Sequence, residues 1–270
     1  NMIDLKSREK QVLLQEDQLL LAPPAWVQGI RTYGWHHTSR SIIYTRNAAG
    51  SSSLWQLEVD SKQNKLINVS PYTTINQLSI SPVDDQFAFI GSAPAIPQRV
   101  VRWNGHTLVV EARGDAESTP PDFLPHVQPI SWQAPDGSQV HGLYRPPTNP
   151  EYTYDGLPPA IIYIHGGPTS QVTSDYAPEM AYLTSRCYGW LDVNYRGSTG
   201  YGRSYQDSLR QRWGQIDVED AIGGAQALID LQLADQNRLI IRGGSAGGYT
   251  VLNALARHPG FFKAGICLFG

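Results

Sequence analysis

A single serine lies within a run of small residues, Gly243-Gly244-Ser245-Ala246-Gly247. The run reads G-x-S-x-G, a pattern in which a sharp strand-to-helix turn lifts a serine hydroxyl above the edge of a sheet. An apolar stretch, RLII, precedes it, and a stretch with helical spacing, AGGYTVLNALARH, follows it. We therefore predict that Ser245 is a nucleophile at a helix N-terminus, where backbone N–H groups face developing negative charge.

Three other interpretations apply to glycine-rich runs of this kind. A tight strand-to-helix turn can require glycines for steric reasons alone. A dinucleotide-binding fingerprint needs G-x-G-x-x-G, and from Gly243 its second glycine position is occupied by Ser245. A phosphate-binding Walker loop needs G-K-[ST], which does not follow. The order of strand, motif and helix favours the nucleophile over all three.

A second candidate element is the sequence His165-Gly166-Gly167-Pro168, directly after the apolar stretch AIIYI. In hydrolases built on a parallel sheet, the loop at this place donates one backbone N–H to the oxyanion hole. The other N–H comes from the residue after the nucleophile, here Ala246. We expect His165 to shape the loop rather than to take part in catalysis.

A serine hydroxyl needs a base, and the base needs an orienting carboxylate. In hydrolases with this turn, the carboxylate and the histidine follow the serine along the chain. After Ser245, however, there is no Asp or Glu, and the only histidine is His258. At about 1.5 Å per residue, the intervening helix places His258 roughly 15–20 Å from the hydroxyl. We therefore expect the acid and base beyond Gly270, in a longer protein. The alternative is a short chain that is inactive and acts by binding.

The elements around these motifs alternate between strands and helices from about residue 127 onwards. VQPISWQAPDGSQVHGLYRPP predicts a hairpin with its turn at Pro135-Asp136-Gly137. Strands are then expected at AIIYI, CYGWLDVNYRG, RLIIRGG and FFKAGICLFG, separated by helices at YAPEMAYLTSR, DVEDAIGGAQALIDL and AGGYTVLNALARH. We expect Asp217 to cap the middle helix. This alternation predicts an α/β fold with a parallel sheet covered on both faces, and the chain stops in its sixth core strand.

The first half of the chain has short alternating segments and a weak internal repeat. Residues 3–13 align with residues 57–67, and SIIYT at 41–45 aligns with QFAFI at 86–90. Periods of about 40 to 50 residues built from four short strands indicate propeller blades, with a β-sandwich as the alternative. We predict a partial β-propeller at 1–115 and a C-terminally incomplete catalytic domain at 116–270. A propeller needs about four blades, so further blades are expected before Asn1.

Composition narrows the possible partners. The net charge of −3 suggests neither nucleic acid nor an anionic membrane. No apolar run approaches the roughly 18 residues of a membrane span. We expect Cys187 and Cys267 to be buried free thiols in a reducing, cytoplasmic setting. Neither a metal-ligand cluster nor a phosphate loop is evident, so no metal and no cofactor is predicted.

Four motifs together resemble the prolyl oligopeptidase family of serine peptidases, most closely its acylaminoacyl-peptidase-like branch. They are HGGP, NYRGSTGYG (194–202), WGQIDVED (213–220) and RGGSAGGY, and the likeness covers about residues 120–270. The resemblance implies an α/β-hydrolase domain capped by a β-propeller that admits only short peptides.

Carried onto this sequence, the resemblance implies Ser245 as nucleophile and the amides of Gly167 and Ala246 as oxyanion-hole donors. Related esterases tend to carry HGGG, so Pro168 favours a peptidase, with a small-ester hydrolase as the alternative. We expect Arg196 and the acidic turn at 217–220 to have structural roles.

Overall fold

A computed structural model describes residues 1–16, 21–22, 24 and 26–270 of the chain. The first part of it contains a short hairpin followed by two four-stranded antiparallel sheets. The hairpin pairs β1 (Met2–Ile3) with β2 (Lys10–Gln11). The first sheet consists, in spatial order, of β3 (Tyr33–Trp35), β4 (Ser41–Ala48), β5 (Ser51–Glu58) and β6 (Asn64–Ile67). The second consists of β7 (Thr74–Ile80), β8 (Phe87–Ala93), β9 (Ile96–Trp103) and β10 (Leu108–Arg113).

The internal repeat corresponds to these sheets. Strand β5 begins at Ser51 and β9 at Ile96, so the third strands of the two sheets are 96 − 51 = 45 residues apart. The aligned segments SIIYT and QFAFI fall on the second strands, β4 and β8. The segment at 3–13 aligns with the β5–β6 hairpin and itself forms the hairpin β1–β2. The prediction of blades made of four short strands is confirmed.

Apolar side chains from both sheets form a common core between them. Alternate residues of a strand point to one face, and those facing inward here are aliphatic or aromatic. Leu54 and Val101 are fully buried, and the Tyr72 ring meets Phe89 edge to face at 5.7 Å between centroids. The core consists of Ile43, Leu54, Val69, Tyr72, Ile75, Leu78, Phe87, Phe89 and Val101.

A six-stranded sheet occupies the second part of the chain. Its strands are β11 (Gln128–Gln133), β12 (Gln139–Arg145), β13 (Ala160–Ile164), β14 (Gly189–Asn194), β15 (Leu239–Gly244) and β16 (Ala264–Leu268). Their spatial order is β11-β12-β14-β13-β15-β16, with β14, β13, β15 and β16 parallel. The predicted hairpin is confirmed as β11–β12, and its turn contains Gly137 at φ 81°. We propose a domain boundary at residues 115–116, because β10 ends at Arg113 and this sheet begins at Gln128.

Helices lie on both faces of this sheet. They are α1 (Pro178–Thr184), α2 (Arg203–Asp207), α3 (Ile216–Asp230) and α4 (Ala246–Arg257). Helices α3 and α4 pack side by side on one face, over a core that includes Ile162, Ile164, Leu191, Val193 and Ile241. The opposite face carries α1 and a cavity of about 610 Å³ lined by Tyr163, Trp190, Asp192, Arg242 and residues of α1. The expectation of helices on both faces therefore holds, with the second face only partly covered.

The blade-like sheets contact the six-stranded part through the turn between β4 and β5. The Ala49 N–H donates to the Gly200 carbonyl at 3.1 Å, and the Ser174 N–H donates to the Gly50 carbonyl at 2.7 Å. The Thr73 hydroxyl donates to the Ser174 carbonyl at 2.6 Å. These bonds place one end of the blade strands against the loops that follow β13 and β14.

Two features bear on the environment of the chain. None of the helices in the described parts combines the length and apolarity needed to cross a bilayer. Cys187 and Cys267 are free thiols, as expected, but both are half-buried, so the expectation that they are buried is wrong. Cys187 lies in the turn after α1, and Cys267 lies in β16, which has no neighbouring strand on one side among the described residues.

Candidate active site

Ser245 occupies the turn between β15 and α4, as the motif predicts. Its backbone has φ 54° and ψ −120°, a region that L-residues rarely adopt. The Ser245 N–H donates to the Leu268 carbonyl at 2.8 Å, which ties the turn to β16. The residue is exposed, and its hydroxyl has no hydrogen bond to any of the described residues. The turn therefore presents a free hydroxyl at the N-terminus of a 12-residue helix.

The glycines of the motif allow strand and helix to approach closely. A Cβ atom on Gly243 would lie 2.5 Å from the Gly247 carbonyl oxygen. A Cβ atom on Gly247 would overlap the Ile164 carbonyl oxygen at the end of β13. Both obstacles are backbone atoms, which cannot rotate away. Glycine is thus required at these positions to set the first turn of α4 against the ends of β13 and β15.

We predict that Gly247→Ala lowers the free energy of unfolding by at least about 2 kcal/mol, because the new methyl group overlaps backbone. The matched control is Gly244→Ala, since a Cβ there meets nothing closer than the Leu268 carbonyl oxygen at 3.5 Å. We expect the control to change stability by less than about 1 kcal/mol. Urea denaturation measures both. Equal effects of the two substitutions would contradict the steric requirement.

The loop after β13 lies directly beside the serine. A Cβ atom on Gly166 would be 3.4 Å from the Ser245 Cβ and 3.1 Å from the Gly244 carbonyl oxygen. Gly167 has φ 133°, which favours glycine, and it also lines the cavity on the α1 face. Ala246 is the first residue of α4, so its N–H has no acceptor within the helix. The assignment of Gly167 and Ala246 as oxyanion-hole donors stays a prediction.

Both ring nitrogens of His165 are occupied. Its Nδ1 lies 2.7 Å from the Gly166 carbonyl oxygen, and its Nε2 lies 2.7 Å from the Ser198 Oγ. The ring stacks on Tyr195 at 4.4 Å between centroids. Burial lowers the pKa of His165 to about 4, so the ring is neutral near pH 7. His165 therefore holds the loop in place and has no free nitrogen with which to take a proton from Ser245.

His258, the histidine after the serine, lies at the C-terminal end of α4. The helix between them has 12 residues, which at about 1.5 Å each separates the two by roughly 18 Å. This agrees with the expectation that His258 is not the base for Ser245.

Arg196 is buried and forms a polar network with three carboxylates. Its guanidinium Nε donates to Asp220 at 2.9 Å, and its backbone N–H donates to the same carboxylate at 2.7 Å. The other guanidinium nitrogens reach Asp136 at 2.7 Å and Glu219 at 3.1 Å. Burial raises the pKa of Asp220 to about 6, although the bonds from Arg196 act in the opposite direction. The network joins the β11–β12 turn, the loop after β14 and α3.

Asp217 does not cap α3, so that prediction is wrong. The N-cap is Gln215, and Asp217 lies in the first turn with its side chain fully buried. Its carboxylate accepts hydrogen bonds from the Gly214 N–H at 2.6 Å and from the Thr250 hydroxyl at 2.5 Å. Asp217 thus links the start of α3 to the helix that carries Ser245 at its N-terminus. No local sequence signal indicates this contact, because Thr250 is 33 residues away.

No group of three His, Cys, Asp or Glu side chains suited to a metal surrounds Ser245 in the described ranges. The single such group found there, His36, His37 and Asp85, lies in the blade-like sheets.

Comparisons with known proteins identify a matching family model and similar sequences. Residues 174–270 match the model of the prolyl oligopeptidase family. The chain is 33% identical over 154 residues to dipeptidyl peptidase family member 6 of Caenorhabditis elegans, covering 54% of this chain and 19% of that protein. It is 38% identical over 106 residues to the acylamino-acid-releasing enzyme of Arabidopsis thaliana, covering 39% of this chain and 14% of that protein.

Among solved structures, the chain is similar to puromycin hydrolase, with a TM-score of 0.88 and 32% identity. The match covers 97% of this chain and 40% of that one, so the chain spans less than half the length of this protein and of the two relatives above. These matches confirm the resemblance to the prolyl oligopeptidase family and fit its acylaminoacyl-peptidase-like branch. They also confirm the fold class, an α/β-hydrolase domain preceded by propeller blades.

Proposed function

We propose that this chain is a member of the prolyl oligopeptidase family of serine peptidases, whose model matches residues 174–270, and that it contributes the nucleophile Ser245 to an enzyme that cleaves short peptides. One observation carries the proposal. Ser245 is exposed in a strained turn at the N-terminus of α4, and the HGGP loop lies beside it. A structural serine would not need a free hydroxyl in this backbone region.

The proposed reaction is acyl transfer. The Ser245 Oγ attacks the peptide carbonyl carbon, and a base takes the hydroxyl proton. The N–H groups of Ala246 and Gly167 donate hydrogen bonds to the oxygen as it becomes negative. The C–N bond then breaks, the amine leaves with the proton, and an acyl-serine ester remains. Water hydrolyses this ester and restores the hydroxyl.

The mechanism needs a base and an orienting carboxylate, and no described residue supplies either one beside Ser245. His165 is saturated with hydrogen bonds, and His258 is roughly 18 Å along the helix. We propose that a histidine and an acidic residue outside residues 1–270 complete the triad. On this proposal the chain alone is inactive toward peptides.

The proposed substrate is a short peptide. Support comes from puromycin hydrolase, one of whose mutants has been solved in complex with PGG. A propeller positioned over the loops after β13 and β14 is consistent with a preference for short substrates, because it would narrow the approach to Ser245. We also propose a cytoplasmic location, on the basis of the two free thiols.

A comparison of amide and ester substrates tests the proposed reaction. The enzyme that carries residues 1–270 should hydrolyse blocked aminoacyl p-nitroanilides as well as the p-nitrophenyl esters of the same acyl groups. Both activities should disappear together in Ser245→Ala, because one nucleophile serves both bonds. Strong ester hydrolysis with no amide hydrolysis would instead favour a small-ester hydrolase.

A binding or vestigial protein is the second candidate, and the absence of a base near Ser245 in the described residues favours it. A binding protein and a peptidase differ in how they react with an active-site probe. A protein without a base leaves Ser245 as an ordinary hydroxyl, which does not react with fluorophosphonates. Failure of both substrate types and of the probe in the longest natural form of the protein would support this candidate.

A further inference from the structure

Two histidines and an aspartate meet at one end of the two blade-like sheets. His36 and His37 lie in the turn between β3 and β4, and Asp85 lies in the turn between β7 and β8. These turns occupy equivalent places, since each joins the first and second strands of its sheet. The ligand atoms of the three side chains all lie within 4.8 Å of one another. The two sheets thus bring together residues that are 85 − 37 = 48 positions apart.

Both imidazole rings aim the same nitrogen at one carboxylate oxygen. The His36 Nε2 lies 3.0 Å from the Asp85 Oδ1, and the His37 Nε2 lies 2.7 Å from it. In a tetrahedral zinc site with bonds of about 2.0–2.1 Å, ligand atoms are roughly 3.3 Å apart. The two separations would need to widen by only about 0.3 and 0.6 Å. Asp85 is 70% exposed, so its side chain has room for this adjustment.

The Thr38 hydroxyl orients the first of these rings. The His36 Nδ1 lies 2.9 Å from the Thr38 Oγ1. A neutral imidazole has one ring N–H, so when Nδ1–H donates to Thr38, the His36 Nε2 presents a lone pair to the Asp85 carboxylate. In that tautomer a cation placed between the Nε2 lone pair and the carboxylate would bind to both. A ring fixed through its second nitrogen is also the arrangement found for metal-ligating histidines.

The turn backbones hold the ligands in place. The His36 N–H donates to the Ser41 carbonyl at 3.0 Å, and the Ser39 N–H donates to the His36 carbonyl at 2.8 Å. The partner turn is closed by the Ser81 N–H, which donates to the Gln86 carbonyl at 2.9 Å. The sheets themselves are joined nearby, where the Leu78 N–H donates to the Arg31 carbonyl at 3.0 Å. The site is therefore built on two closed turns of adjacent sheets.

We propose that His36, His37 and Asp85 form a binding site for a divalent transition metal ion, with Zn²⁺ the best match. Two imidazoles and one carboxylate suit zinc, whereas calcium and magnesium prefer oxygen ligands alone. Three protein ligands leave a fourth position for water on the exposed side. No sequence motif signals the site, because the third ligand comes from the next sheet.

The position of the site indicates what the metal would do. Strand β4 runs from Ser41, beside the histidines, to Ala48, beside the contacts with Gly200. Its eight residues span roughly 24 Å, so the metal lies at the end of the sheets far from Ser245. It would not take part in acyl transfer. It would cross-link two consecutive sheets and stabilise them against separation.

The test uses the full chain after removal of metals by dialysis against a chelator. Titration with Co²⁺ should produce a visible absorption band of tetrahedral ligation, and Zn²⁺ should displace the Co²⁺ because it binds N/O sites more tightly. We expect the wild-type chain to bind one more equivalent of Co²⁺ than either the His37→Ala or the Asp85→Asn variant. Zn²⁺ should raise the Tm of the wild type by several degrees and leave that of both variants unchanged.

The matched control is His106→Ala, which removes an exposed histidine from the β9–β10 turn and should leave the Co²⁺ titration intact. Because Asp85 is 70% exposed, Asp85→Asn should fold with the metal-free Tm of the wild type. Titrations that are the same for the wild type, His37→Ala and Asp85→Asn would overturn the proposal and leave a hydrogen-bonded cluster only. The result is independent of Ser245 and its chemistry.

Discussion

Replacing Ser245 with alanine is expected to lower kcat for a short peptide amide by about six orders of magnitude in the enzyme that carries residues 1–270. The hydroxyl is the atom that would form the acyl-enzyme, and the alanine side chain has no atom that can replace it as a nucleophile. The backbone amides of Ala246 and Gly167 would remain, so some acceleration over the uncatalysed reaction should persist. Steady-state hydrolysis of a p-nitroanilide measures the effect.

The control for this experiment is Ser131→Ala, an exposed serine on β11 that is remote from the turn. We expect its kcat and KM to equal those of the wild type. Substrate binding should be nearly unchanged in Ser245→Ala, because a hydroxyl that reacts only in the transition state adds little to the ground state. Turnover in Ser245→Ala at more than about a hundredth of the wild-type rate would contradict the assignment.

The second large effect is expected for Asp220→Ala, which should lower the free energy of unfolding by about 3–5 kcal/mol. Asp220 is fully buried, and Arg196 is 2% exposed. Loss of the carboxylate would leave the Arg196 Nε and backbone N–H without their acceptor. A buried guanidinium with an incomplete set of acceptors is costly. Chemical denaturation measures the change.

Glu219→Ala is the matched control for this prediction. Glu219 lies on the same helix and also pairs with Arg196, at 3.1 Å, but its side chain is 45% exposed. Water can replace such an ion pair, so we expect a loss below about 1 kcal/mol. Similar losses for Asp220→Ala and Glu219→Ala would show that burial does not determine the strength of these pairs.

Short sequence patterns predicted those parts of the fold that depend on residues close together in the chain or on a regular repeat. The elbow around Ser245 follows from an apolar strand, four glycines and a helical stretch in immediate succession. The hairpin at Pro135-Asp136-Gly137 follows from its turn residues, and the blade repeat follows from the offset of 45 residues. Each of these signals is contained in one short stretch or in a regular spacing.

Contacts between distant segments could not be predicted in this way. Asp217 has the type and place of a helix cap, yet it is turned inward to the Thr250 hydroxyl on the next helix. His165 is fixed by the Ser198 Oγ, 33 residues further on, and Asp85 reaches His36 and His37 from another sheet. Such pairs depend on how whole strands and helices pack against one another. No local spacing in the sequence indicates that packing.

The central claim is that Ser245 is an activated nucleophile. Its most direct measurement is reaction of the longest natural form of the protein with a fluorophosphonate probe, followed by peptide mass spectrometry to locate the label. We predict stoichiometric labelling on Ser245, because only a serine assisted by a base and an oxyanion hole reacts in this way. No label, or a label on another serine, would contradict the claim and favour a binding role for this chain.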